Sequence, residues 1–359
     1  MRQLGRVRVE NLKVRAIREK TPRVTPPLCT RRSSERRRSS RLGVALAGAL
    51  WLAGASSVAA ARDAEAGSRW FMQKPAPSTQ VQKSSTERGV NPCNTPDPGF
   101  GSYDRWIKNG MAMVLVPHRG AVNAAGEFDV VFHFHGHEPA RKEWVQAMSG
   151  VVFVGVTLGV GSGVYENTFR DPAAFEHLLK TAEATVAEHV GRSDAHARRI
   201  ALSSWSAGYG AAEEILRQPL GRERVDTVIL LDGLHCDYAG DGLVEATLEP
   251  FVWFAHEAAD GKRLMVVSHS SIIPPGYAST TETANYLIHE LGGRPHPAKP
   301  RPTDPMGLEL VSRYDQGGFH VRGYAGNAEL DHCAQVGLYR DVLKVHLLPR
   351  WKPPRAAKH

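Results

Sequence analysis

One stretch decides how this chain folds: residues 200–213, which read IALSSWSAGYGAAE. An apolar segment of strand type comes first, a serine follows, and small residues that can open a helix come next. Small side chains are needed at such a turn because the strand and helix backbones approach each other closely. Ser204 and Gly208 flank Ser206 at the two-residue offsets that this turn requires. The stretch therefore predicts a sharp strand-to-helix turn with Ser206 at its tip.

Apolar runs and helical patterns alternate on both sides of this stretch. Near-continuous apolar runs indicate strands buried on both faces of a parallel sheet, and apolar residues spaced three or four apart indicate helices. The pattern predicts an α/β fold, with a mostly parallel central sheet and helices on both faces. The predicted strands are 111–117, 128–134, 151–158, 199–205, 225–231, 263–268, 310–314 and 319–324, and the predicted helices are 172–190, 207–217, 249–259, 281–291 and 334–348.

The first 61 residues have the composition of a targeting segment. Residues 1–41 contain 14 Lys and Arg against 3 Asp and Glu, and an apolar run and several alanines follow, up to Ala60 and Ala61. A basic region, an apolar core and an alanine-rich cleavage site are typical of a secretory signal peptide. We expect a periplasmic or secreted protein, cleaved near these alanines. A retained membrane anchor is the alternative, but the apolar run is shorter than the roughly 20 residues that a span needs.

The rest of the chain is predicted to form one domain. Residues 62–100, rich in Pro, Ser, Gln and Gly, are expected to form a linker and an irregular N-terminal arm, and residues 101–352 the α/β domain. The whole chain has a net charge of +8, but the residues after 61 carry 31 basic and 34 acidic side chains. The basic excess belongs to the leader, which argues against nucleic-acid binding by the domain. The oligomeric state is left open.

Ser206 is a candidate nucleophile, and two other segments supply partners for it. A serine hydroxyl is a weak nucleophile unless a base is adjacent. His332, between the last predicted strand and the last predicted helix, is preferred as that base to His320, which lies within a strand. An acid must orient the histidine. Asp232, at the end of the strand after the turn, is favoured, and Asp237 and Glu282 are the alternatives.

Residues 130–138, which read VVFHFHGHE, support two interpretations. In the first, a strand ends in His-Gly, so the backbone turns closely and the N–H of His137 joins that of Ala207 as an oxyanion donor. In the second, His133, His135 and His137 alternate along an extended segment, share one face and hold a metal ion. The string is similar to a motif of metallo-β-lactamases, but it lacks their Asp-His pair.

Three cysteines follow the leader: Cys93, Cys236 and Cys333. If Asp232 and His332 meet, the loops that carry them are neighbours, and Cys236 and Cys333 lie on those loops. We therefore expect a Cys236–Cys333 disulfide in an oxidising compartment. Two free thiols are the alternative.

Residues 111–348 resemble the α/β-hydrolase family. The resemblance rests on His-Gly after an early strand, the serine turn, a late histidine and the chain order Ser, Asp, His. It implies that Ser206 is the nucleophile, His332 the base and Asp232 the acid, with an oxyanion hole formed by the N–H groups of His137 and Ala207. Two departures stand out. Ser204 replaces a usual glycine, and Asp232 follows the strand directly after the turn, where the family more often uses the next strand.

The resemblance implies an exported serine hydrolase similar to secreted esterases and polyester depolymerases. Its substrate would be a small-molecule or polymeric carboxylic ester, in preference to an amide, cleaved through an acyl-enzyme without a cofactor. Fold alone does not dictate function. The alternatives are a catalytically silent binding protein with the same fold and a metal-dependent hydrolase that uses His133, His135 and His137.

Overall fold

The computed structural model describes residue 93, residues 95–299 and residues 305–351. The predicted leader, 1–61, and most of the predicted linker, 62–100, lie outside the described residues. The division of the chain into leader, linker and domain therefore stays a prediction. Within the described part, no helix is both long and apolar enough to cross a lipid bilayer.

One mixed sheet of ten strands organises the described residues. The strands are β1 Ile107–Asn109, β2 Ala112–Leu115, β3 Glu127–Phe134, β4 Val152–Val156, β5 His196–Trp205, β6 Val225–Leu231, β7 Tyr238–Ala239, β8 Gly242–Leu243, β9 Leu264–His269, β10 His296–Pro297, β11 Glu309–Gln316 and β12 Phe319–Ala325. The sheet order is β1-β2-β4-β3-β5-β6-β9-β12-β11-β10, and β7 and β8 form a separate hairpin. The strands from β4 to β12 in this order are parallel, and antiparallel strands extend both edges.

The central strands are apolar along their whole length because both faces of the sheet are covered. In β3, Val130 and Phe132 face one core, and Val131 between them faces the other. In β4, Val154 faces the core of Val130 and Phe132, and Phe153 faces the core of Val131. All five side chains are fully buried. The predicted fold class, an α/β-hydrolase type of sheet covered on both faces, is confirmed by this topology.

The helices lie between the strands. They are α1 His137–Trp144, α2 Gly163–Phe169, α3 Pro172–Val190, α4 Tyr209–Arg217, α5 Pro219–Arg224, α6 Glu245–Ala259, α7 Thr280–Glu290, α8 Glu329–Gly337, α9 Tyr339–Val342 and α10 Leu348–Trp351, with a π-helical turn at Leu343–Leu347. Helix α3 has the bounds predicted from sequence. The Asp171 side chain accepts a hydrogen bond from the Ala173 N–H at 3.0 Å, and Gly191 ends the helix in the left-handed region.

The C-terminal helix was predicted over 334–348, and this prediction is wrong at its start. The chain enters helix α8 at Glu329, and the Asp331 carboxylate accepts a hydrogen bond from the Ala328 N–H at 3.0 Å. This acidic cap starts the helix five residues before the predicted position. His332 therefore lies on the first turn of a helix and not in a loop.

Candidate active site

Ser206 lies at a strained turn between β5 and α4. Strand β5 ends at Trp205, residues Ser206–Gly208 form a short 3-10 turn, and α4 follows. Ser206 has a φ of +52°, which non-glycine residues rarely adopt. Such a conformation costs about 1–3 kcal/mol and is concentrated at functional sites. The predicted strand-to-helix turn is thus present.

Two glycines let neighbouring backbones approach this turn. A Cβ atom on Gly208 would collide with the backbone of Phe134 at the end of β3. A Cβ atom on Gly233, after β6, would collide with the backbone of Ser206 itself. Ser204, which stands where a glycine was expected, is fully buried. The carboxyl ends of β3, β5 and β6 therefore converge on Ser206.

His332 and Asp232 are joined by a hydrogen bond although 100 residues separate them. Nδ1 of His332 donates to Oδ2 of Asp232 at 2.7 Å. Oδ1 of the same carboxylate accepts from the Ser270 N–H at 2.8 Å and from the Thr280 hydroxyl at 2.6 Å. Burial by itself raises the pKa of Asp232, but the hydrogen bonds from His332, Thr280 and Ser270 outweigh it, and the pKa lies below its ordinary value. The buried group is thus a carboxylate.

The two alternative acids have other surroundings. The Glu282 carboxylate accepts from the N–H of Ser279 at 2.8 Å and from its hydroxyl at 2.7 Å, which forms the N-terminal cap of α7. It also accepts from the Tyr238 hydroxyl at 2.7 Å. Asp237 is exposed. Of the three candidates, Asp232 is the carboxylate that meets His332.

Trp205 holds the His332 ring beside the turn, a role that sequence reasoning missed. The two rings stack with centroids 5.1 Å apart and planes 28° apart. The indole N–H of Trp205 also donates to the carbonyl of His332 at 3.1 Å. Within the described residues no hydrogen bond joins the Ser206 hydroxyl to His332. A catalytic contact between them would have to form when substrate binds, as is common at such sites.

The three alternating histidines do not share a face, so the metal-site hypothesis is wrong. Each bonds to a different element: His133 to the Ser203 hydroxyl at 2.9 Å, His135 to the Tyr165 hydroxyl at 3.0 Å, and His137 to the Thr157 hydroxyl at 2.7 Å. The alternation fails because β3 ends at Phe134 and His135 turns into the left-handed region, with a φ of +69°. No group of three His, Cys, Asp or Glu side chains in the described part of the chain is arranged to hold a metal ion.

The two predicted oxyanion donors have different environments. Ala207 lies at the start of the 3-10 turn and lines a cavity of about 540 Å³ together with Ser206. The N–H of His137 is at the start of α1 and points towards the Thr157 hydroxyl, at a long 3.4 Å. His137 packs against Gly155 of β4, where a Cβ atom would collide with it.

The predicted Cys236–Cys333 disulfide is wrong. Cys333 pairs with Cys93, with Cα atoms 5.3 Å apart. Cys236 is a free thiol that is packed into the core that contains Val130 and Phe132, and burial raises the pKa of this thiol to about 12. The pairing follows from the N-terminal arm, which the sequence did not place: Asp97 forms an ion pair with Arg141 of α1 at 2.6 Å, and α1 packs against α8. The disulfide fixes the residue next to His332.

The fold is similar to those of several solved structures, at low sequence identity. No model of a protein family matches the chain, and no curated protein sequence matches it. A thermostable esterase has 13% identity and a TM-score of 0.39, covering 69% of this chain, which spans 63% of that protein. The siderophore hydrolase EstB from Aspergillus nidulans has 13% identity and a TM-score of 0.38, covering 73% of this chain and 100% of its own. A poly(3-hydroxybutyrate) depolymerase from Bordetella parapertussis, LpqC, has 16% identity and a TM-score of 0.32, covering 64% of this chain and 84% of its own. At these values the similarity carries no information on substrate or reaction.

Proposed function

We propose that the protein is a serine hydrolase that cleaves a carboxylic ester through an acyl-enzyme. The observation that carries this proposal is the strained Ser206 turn, which opens on the cavity, beside the hydrogen-bonded pair of His332 and Asp232. A nucleophile, a base and an acid that orients the base are the elements of serine hydrolysis.

In this proposal His332 is the general base. Because Nδ1 donates to the Asp232 carboxylate, Nε2 is the ring nitrogen that is free to accept the proton of the Ser206 hydroxyl. The hydroxyl oxygen then attacks the ester carbonyl. His332 returns the proton to the leaving alcohol. A water molecule, deprotonated by His332 in the same way, then attacks the acyl-enzyme, and the carboxylic acid leaves as the Ser206 oxygen regains the proton from His332. The buried carboxylate stabilises the imidazolium that forms in each half of the reaction.

The negative charge of the tetrahedral intermediate requires backbone donors. The N–H of Ala207 is at the start of the turn that leads into α4, and its residue lines the cavity. The N–H of His137 is proposed as the second donor, and its hydrogen bond to Thr157 is long enough to exchange for one to an oxyanion.

We further propose that the protein acts outside the cytoplasm. The Cys93–Cys333 disulfide supports this, because such bonds persist in oxidising compartments. The basic and apolar composition of residues 1–61 supports it independently.

Labelling with a fluorophosphonate probe tests the reaction class. We expect the wild-type protein to react with the probe and to hydrolyse short p-nitrophenyl esters, and Ser206→Ala to do neither. Ser204→Ala is the matched control, since this serine is two residues away and its hydroxyl is buried; it should retain labelling. Folded wild-type protein that neither reacts with the probe nor hydrolyses any ester would contradict the proposal and favour a binding protein.

A further inference from the structure

The cavity beside Ser206 extends along helix α4. Gly210 and Glu213 are three residues apart on this helix, so they lie on the same side of it. Both Ser206 and Glu213 line the cavity. Gly210 between them lets α2 approach, because a Cβ atom there would be 2.8 Å from Cγ of Glu166 and 2.9 Å from the Ser162 carbonyl oxygen.

Three carboxylates line this cavity, and none of its lining residues is a lysine or an arginine. They come from three elements: Glu166 from α2, Glu213 from α4, and Asp237 from the segment after β6. Glu213 is ion-paired with Arg217 at 2.8 Å. Within the described residues, Glu166 and Asp237 form no ion pair. The cavity therefore carries an uncompensated negative charge next to the candidate nucleophile.

The other polar lining groups do not supply a balancing positive charge. His235 forms a hydrogen bond from Nδ1 to the Ala278 carbonyl at 2.9 Å, and burial lowers its pKa, which favours the neutral ring. Tyr209 and Tyr277 add aromatic rings, against which an organic cation can pack. No three acidic, His or Cys side chains of the described residues are grouped so that they could hold a metal ion.

We infer that the part of the substrate that occupies this cavity carries an organic positive charge, an ammonium or a guanidinium group. This inference rests on the proposed ester hydrolysis and adds the substrate class to it. Glu166 and Asp237 are the specificity-determining residues. Glu213 adds less negative charge, because burial raises its pKa to about 7 and Arg217 balances the charge that it carries. An ester with a neutral or anionic group at this position loses that attraction, and an anionic group is repelled.

Two matched pairs of esters test the inference on the acyl and alcohol sides. The acyl pair is the p-nitrophenyl ester of guanidinohexanoate against that of ureidohexanoate, which has nearly the same shape without the charge. The alcohol pair is acetylcholine against its neutral carbon isostere, dimethylbutyl acetate. We expect kcat/KM to be about tenfold higher for the cationic member of at least one pair. The preference should fall as ionic strength rises.

The variants Glu166→Gln and Asp237→Asn should each reduce that preference and together abolish it, mainly by raising KM for the cationic esters. Glu214→Gln is the matched control. Glu214 is next to Glu213 on helix α4, but it is paired with Arg170 at 3.6 Å and does not line the cavity. It should leave the preference unchanged.

The outcomes separate this inference from the proposed function. Hydrolysis that depends on Ser206 but shows no preference for the cation in either pair overturns the inference and leaves the hydrolase proposal intact. A preference that survives the double variant also overturns it. Folded protein that hydrolyses none of the four esters, and does not react with the fluorophosphonate probe, overturns both.

Discussion

Trp205 and His332 are joined twice, by stacked rings with centroids 5.1 Å apart and by an N–H···O hydrogen bond of 3.1 Å. Trp205 directly precedes Ser206 in the chain, so the residue that leads into the turn also holds the candidate base. This contact links two segments that are 127 residues apart. It explains how the helix that carries His332 is kept in register with the end of β5.

Removing part of this contact tests its role in positioning. Trp205→Phe retains a ring for stacking but loses the N–H donor. We expect kcat to fall by about tenfold, which corresponds to the free energy of one hydrogen bond, with little change in KM. Trp253→Phe is a matched control, since Trp253 lies on α6 and packs against the guanidinium groups of Arg222 and Arg263, not against His332. Equal kcat for both variants and the wild type would show that the contact does not position His332.

The Asp232 carboxylate is the predicted orienting acid. Asp232→Asn keeps the shape but presents an N–H₂ group to His332, which favours the wrong tautomer of the ring. We expect kcat to fall by about a thousandfold or more while the protein stays folded. Glu282→Gln is the control: it disturbs the cap of α7 and should lower the free energy of unfolding by about 1 kcal/mol with kcat unchanged. Loss of activity in the control and not in Asp232→Asn would reassign the acid.

The Cys93–Cys333 disulfide ties the N-terminal arm to the helix that carries His332. Replacing both cysteines by serine should lower the free energy of unfolding by about 2–4 kcal/mol, because the closed loop is long. Denaturant unfolding measures this change, and kcat should fall as well. Cys236→Ala should leave the Cys93–Cys333 disulfide intact. Peptide mapping without reductant checks the pairing directly, and free, alkylatable thiols at both Cys93 and Cys333 in protein purified under oxidising conditions would refute it.

Glu213 is expected to make stability depend on pH. Burial raises its pKa from 4.5 to about 7 despite the ion pair with Arg217. A carboxyl group whose pKa is higher in the folded than in the unfolded chain favours folding when protonated, so its contribution is lost as pH rises from 4.5 through about 7. We expect the Tm of the wild type to fall more between about pH 5 and pH 8 than the Tm of Glu213→Gln. Glu214→Gln should follow the wild type, and parallel Tm profiles for all three proteins would contradict this account.

The sequence by itself determined the local elements on which the site is built. Apolar runs indicated the central strands because both faces of the sheet are buried, and apolar residues spaced three or four apart indicated helix α3. The small residues around Ser206 predicted the turn, since a side chain at Gly208 would collide with the backbone of Phe134. Each of these features depends on neighbours in the chain, and periodicity and residue size report such features well.

Only the tertiary structure decided the contacts between distant segments. The partner of Cys333 proved to be Cys93, 240 residues away, because an arm with no periodic pattern runs past α1 to α8. The alternation of His133, His135 and His137 ended with β3, so their side chains separated. The carboxylates of Glu166, Glu213 and Asp237 carry no shared sequence signal, and they line one cavity because three elements meet there. Such convergence depends on how the elements pack, which local sequence patterns do not encode.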